Sequence, residues 1–84
     1  MSPDKLIHMA NQIGRAFAHE PHERAVADTA EHIRKFWDRR MRAAIFDQIG
    51  TEAGPRLDPI ARDAVEALRG AASRGEPHHV PDEE

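Results

Sequence analysis

Apolar residues along this chain return at the spacing of an α-helix, and no stretch shows the strict alternation of a strand. Leu6, Ala10, Ile13 and Phe17 stand at i, i+4, i+7 and i+11, with Met9 and Ala16 flanking them. Val26, Ala30, Ile33 and Trp37 repeat the same spacing, with Phe36 beside the stripe. A third, shorter set comprises Met41 and Ile45 with Gln48 or Ile49. The fourth comprises Ala61, Val65 and Leu68, with Ile60 and Ala64 alongside. Four such stripes restrict the chain to an all-α fold, a small bundle of three to four short helices.

Punctuation falls where helices would begin and end. Ser2-Pro3-Asp4 reads as an N-cap, a proline at the first helical position and an acid facing the helix dipole, which predicts a first helix over residues 3–18. Pro21 disfavours helical geometry at Glu20 and can open a second helix. Matching stripes on either side of that short turn predict an antiparallel helical hairpin. Asp38 is the expected N-cap of a third helix over residues 39–49, stopped by Gly50. Residues 51–56 hold Gly54-Pro55 and read as a loop, after which Leu57-Asp58-Pro59 repeats the opening signature and starts a fourth helix with Gly70 near its end. From Ser73 onward the polar, proline-containing segment ending PDEE predicts a disordered tail, so the expected organisation is a helical domain over 1–72 and a mobile tail over 73–84.

A chain of 84 residues has a limited core, and it contains no cysteine. Disulfide staples, thiolate catalysis and Cys-ligated zinc or iron–sulfur sites are therefore excluded. The apolar run near the N-terminus is interrupted by His8, Asn11 and Gln12, which predicts neither a signal peptide nor a membrane span and a cytoplasmic location. Net charge is −3, but its distribution is uneven. Residues 34–42, RKFWDRRMR, carry five basic residues and one acid for a local +4, leaving −7 on the remainder. Phosphate contacts by Arg34, Lys35, Arg39, Arg40 and Arg42, with Phe36 or Trp37 stacking on a base, would make this island a nucleic-acid grip. Against that reading, Trp37 lies in the packing stripe and the acids elsewhere repel a polyanion. An ordinary solvated face is one alternative; a protein-docking edge, arginines around an aromatic, is the other.

Sites for chemistry are sparse. Of six histidines, His19 and His22 are separated by Pro21, so they lack the helical i, i+4 geometry of a zinc pair, and His78-His79 falls in the expected tail; surface histidines are the expectation. Ser2, Ser73, Thr29 and Thr51 form neither a nucleophile elbow nor a phosphate loop. Glu66 with Arg69 reads as a surface pair. Gly14, inside the first helix, costs about 1 kcal/mol relative to alanine, which is either offset by close approach of another helix or simply tolerated. The expected catalytic, cofactor-binding and metal-binding residues are none.

Three segments together resemble the delta subunit of bacterial soluble NAD-dependent formate dehydrogenase: KLIHMANQIGRAFA (residues 5–18), AEHIRKFWDRRMRAAI (30–45) and LDPIARDAVEAL (57–68). MANQIG followed by KFWD-x-RMR is the specific part. The chain departs from the family's pattern in lacking an aromatic near His8, in having Ala16-Phe17 where a Phe pair is common, and in having Arg39 where Pro often follows FWD. Without that Pro, the third helix has a weaker start. The resemblance implies a non-catalytic accessory subunit holding no cofactor of its own. It docks on an alpha subunit that carries bis-molybdopterin guanine dinucleotide and iron–sulfur clusters, and through it joins beta and gamma subunits bearing FMN, iron–sulfur clusters and the NAD site. On this reading the partner-binding residues are Phe36, Trp37, Arg39, Arg40 and Arg42, with Asn11 and Gln12 as a second contact, and neither nucleic acid nor membrane is a partner.

Overall fold

The computed structural model describes residues 2–74, which form four α-helices and a short 3-10 turn. Helix α1 spans Pro3–Ala16, and its N-cap is Ser2, whose Oγ accepts from the Lys5 amide at 3.2 Å. It ends two residues before the expected limit, because Phe17 leaves helical geometry and its amide turns back to the Gly14 carbonyl. Helix α2 spans His22–Phe36, with Pro21 at its N-cap position. It stops where Trp37 swings to an extended ψ of 139°, and α3 (Arg39–Gln48) starts at once because the Asp38 carboxylate accepts from the Met41 amide at 2.8 Å. The expected Asp38 cap is thus formed. After α3 the Thr51 hydroxyl donates to the Gln48 carbonyl at 2.9 Å, and the 3-10 turn Gly54–Arg56 leads to α4, Pro59–Arg74. Gly54 is required there: a Cβ would run into the Ile49 carbonyl oxygen.

Helix α4 lies most extensively against α2, while α1 touches α2, α3 and α4. His22 meets Asp63 near the starts of α2 and α4, and Arg34 and Ala71 line one groove near their ends, so these two helices run side by side in the same direction. The main partner of α2 is therefore α4 rather than its hairpin neighbour α1. The core comprises Leu6, Ile7 and Ala10 of α1, Ile33 and Trp37, Ile45 and Ile49, Leu57, and Ala61, Val65 and Leu68 of α4. Full burial of each large aliphatic side chain contributes about 1.5–3 kcal/mol.

Two stripes rotate relative to their sequence reading. In α1 the buried residues are Leu6, Ile7, Ala10, Asn11 and Gly14, whereas Ile13 and Phe17 are half-buried. A helix with three neighbours presents a wider arc than one apolar stripe, and that arc here takes in a polar residue and a glycine. In α2 the buried line is Ala25, Thr29 and Ile33, continued by Trp37, while Val26 and Ala30 are half-buried. Small Ala25 and Thr29 let a neighbouring helix close over them. Close approach at Gly14 is realised, since a Cβ there would lie 3.3 Å from Ile60 Cγ2 and 3.4 Å from the Ala61 amide nitrogen. Glu66 pairs with Arg62 at 3.2 Å, one turn before it, rather than with Arg69. Helix α4 continues through Arg74, past the expected tail start at Ser73; the remainder of that expected tail, 75–84, lies outside the described residues.

Candidate protein interface

The basic island is folded into the corner between α2 and α3, and its residues divide into two groups. Trp37 is 4% exposed and belongs to the core, so it holds the corner from inside. Arg42 reaches back from α3 to donate to the Arg34 carbonyl at 2.9 Å and the Trp37 carbonyl at 3.0 Å. These carbonyls lie at the C-terminal end of α2, where a guanidinium satisfies orphan acceptors and opposes the helix dipole. Arg34 is engaged along its own helix by Glu31, through contacts of 2.7 and 3.2 Å. Asp38, the island's one acid, caps α3.

The second group faces outward. Phe36 is 71% exposed, the one exposed large apolar side chain among the described residues, with the His32 ring at 4.7 Å on one flank. Lys35, Arg39 and Arg40, within four residues of it along the chain, are also exposed. Sequence periodicity placed Phe36 beside the stripe that ends in Trp37; in the structure Trp37 is buried and Phe36, the last residue of α2, is exposed.

Asn11 and Gln12 also separate. Asn11 is buried, its amide donating to the Arg56 carbonyl at 3.0 Å and its oxygen accepting from the Asp58 amide at 2.8 Å, while Gln12 is exposed. Asp4 with Arg56 at 2.6 Å and Arg15 with Asp58 at 3.5 Å flank this clamp, so one face of α1 fastens the segment leading into α4. Sequence reasoning did not find the clamp; its signal was an asparagine adjoining the apolar Ala10 and four residues after Ile7.

Among the described residues no group of three or more His, Asp or Glu side chains is placed to hold a metal ion. His22 pairs with Asp63 at 2.8 Å across α2 and α4, and His19 lies 3.8 Å from Glu20. The Glu20 carboxyl is held above its ordinary value, first by hydrogen bonding to the Asp28 side chain, which favours the protonated form, and then by burial. No helix among the described residues is long and apolar enough to cross a membrane.

The described residues thus form a small all-helical domain with a basic α2–α3 corner that also carries an exposed aromatic. Residues 5–65 match the family described as "NADH-dependant formate dehydrogenase delta subunit FdsD", and the chain belongs to that family. No curated protein and no solved structure was found to match it.

Proposed function

We propose that this chain is a non-catalytic, cytoplasmic accessory subunit that docks on the molybdenum-containing alpha subunit of an NAD-dependent formate dehydrogenase and supports assembly or stability of the complex. Formate oxidation to carbon dioxide and NAD reduction are then carried out by the alpha, beta and gamma subunits with their bis-molybdopterin guanine dinucleotide, iron–sulfur clusters and FMN. The observation that carries the docking part is the α2–α3 corner, where Phe36 is exposed beside Lys35, Arg39 and Arg40. Aromatic and arginine side chains are enriched where protein interfaces concentrate their binding energy. Trp37 and Arg42 serve the same surface indirectly, by holding the corner that presents it. In the second contact Gln12 is the exposed member, whereas Asn11 is buried and bonded within the chain.

Docking stabilises an assembled state by mass action, since a partner that binds only that state shifts the equilibrium toward it. The nucleic-acid reading loses support from the same geometry: Trp37 is unavailable for stacking, and Arg34 and Arg42 are engaged within the chain. Co-expression with the large subunits, with and without this chain, tests the proposal through cofactor content, complex yield and formate-dependent NAD reduction. Equal yield, equal activity and no co-purification would refute it. Arg40→Glu is the informative charge reversal, because Arg42→Glu would break the corner itself.

A further inference from the structure

Resting on the docking reading, the geometry of the corner also specifies what the partner must offer. Phe36 lies seven residues after Thr29 and eleven after Ala25, so helical spacing puts it on the core-facing side of α2. It nevertheless projects where the bundle no longer covers that side, and it is 71% exposed. Its mount is well fixed. On one side Trp37 is sunk in the core and its amide still bonds the Ile33 carbonyl at 2.9 Å; on the other, the Arg42 guanidinium ties the carbonyls of Arg34 and Trp37 together. Backbone fixed before binding need not be ordered when the side chain it carries is buried, which favours Phe36 as an anchor.

Charge in the segment that carries it is mostly positive. The side chains of Lys35 and Arg40 make no hydrogen bond or ion pair among the described residues, whereas Arg39 is engaged within the chain and the Asp38 carboxylate is committed to the Met41 amide. We propose that Phe36 enters an apolar pocket on the partner subunit, and that carboxylates beside this pocket receive Lys35 and Arg40. A second copy of the chain is a poor occupant, because it would bring the same positive rim against this one. An apolar pocket without acids would leave the Lys35 and Arg40 cations against low-dielectric surface.

The test uses the full chain titrated onto formate dehydrogenase complex purified without it. Phe36→Ala is expected to weaken binding about 30-fold or more, as an interface anchor does, while Phe36→Leu recovers most of the loss. Lys35→Glu with Arg40→Glu is expected to weaken binding about tenfold or more and to flatten its dependence on salt. Unchanged helical circular dichroism in each variant keeps folding apart from binding, since all three side chains are exposed. Wild-type binding by Phe36→Ala would overturn the anchor and leave the docking reading standing. No binding by the unaltered chain would overturn both. Affinity indifferent to salt would overturn the acidic rim, and Phe36-dependent self-association, or Phe36-dependent binding to DNA or RNA at low salt, would assign the surface to a different occupant.

Discussion

Replacing Asn11 by alanine removes two hydrogen bonds at once, and both lead to the backbone of the segment that feeds α4. The Asp58 amide loses its acceptor at 2.8 Å and the Arg56 carbonyl its donor at 3.0 Å, both in a part-buried setting. Each bond contributes about 1 kcal/mol net, and an orphaned backbone group adds to the loss where water reaches it poorly, so the expected cost is about 2–3 kcal/mol. For a domain of this size that lowers the melting temperature by about 10–20 °C. The matched variant is Asn11→Asp, which keeps an acceptor for the Asp58 amide but turns an oxygen toward the Arg56 carbonyl. At neutral pH it should fall at least as far as Asn11→Ala and recover in part in acid, where a protonated carboxyl can donate. Thermal and urea unfolding followed by circular dichroism give the comparison directly. A melting temperature for Asn11→Ala within about 3 °C of the parent would refute the clamp and return Asn11 to the surface role considered from sequence.

Thr29→Val should raise stability by about 1 kcal/mol in urea unfolding, because the Thr29 hydroxyl is fully buried without a hydrogen-bond partner and valine has nearly its shape. Arg42→Met should lower stability by about 2–3 kcal/mol, since it removes a charged donor from two carbonyls at the end of α2; a neutral result would show that water replaces the guanidinium there. Glu20 binds its proton more tightly in the folded chain than at the ordinary value of 4.5, so its contribution favours folding below that value and is lost as pH rises through the raised one. Glu20→Gln, neutral throughout, should therefore gain stability over the parent near pH 7 and lose that advantage near pH 4; a difference independent of pH would contradict the assignment.

Helix positions were largely readable from local chemistry. Ser2 and Asp38 act as the caps their side chains suggest, and the stops after Phe36 and Gln48 follow from short-range backbone geometry. Gly14 gave a weaker signal, since its cost inside a helix could be tolerated or offset by close approach, and the Ile60 side chain and Ala61 backbone do come close. Periodicity was less informative about which face is inward. It assigned Ile13, Phe17 and Val26 to the core, and left out Asn11, Ala25 and Thr29. Hydrophobicity identifies what can be buried, whereas the neighbours decide what is buried, and small residues attract neighbours that large ones keep away.

The family resemblance rested on contiguous motifs and spanned most of what the family match covers, residues 5–65. The candidate interface did not follow from those motifs in the same way. Neighbouring Phe36 and Trp37 carry the same kind of side chain, and nothing local distinguishes an anchor for a partner from a support for the core. Nor does local sequence separate Arg42, which binds two carbonyls of α2, from Arg40, which has no partner among the described residues. By itself the sequence determined the helices, their caps and the family, because these depend on interactions within a few residues. Only the tertiary structure decided which aromatic faces out and that Asn11 clamps a segment 45 residues away, because those outcomes depend on where distant helices come to lie.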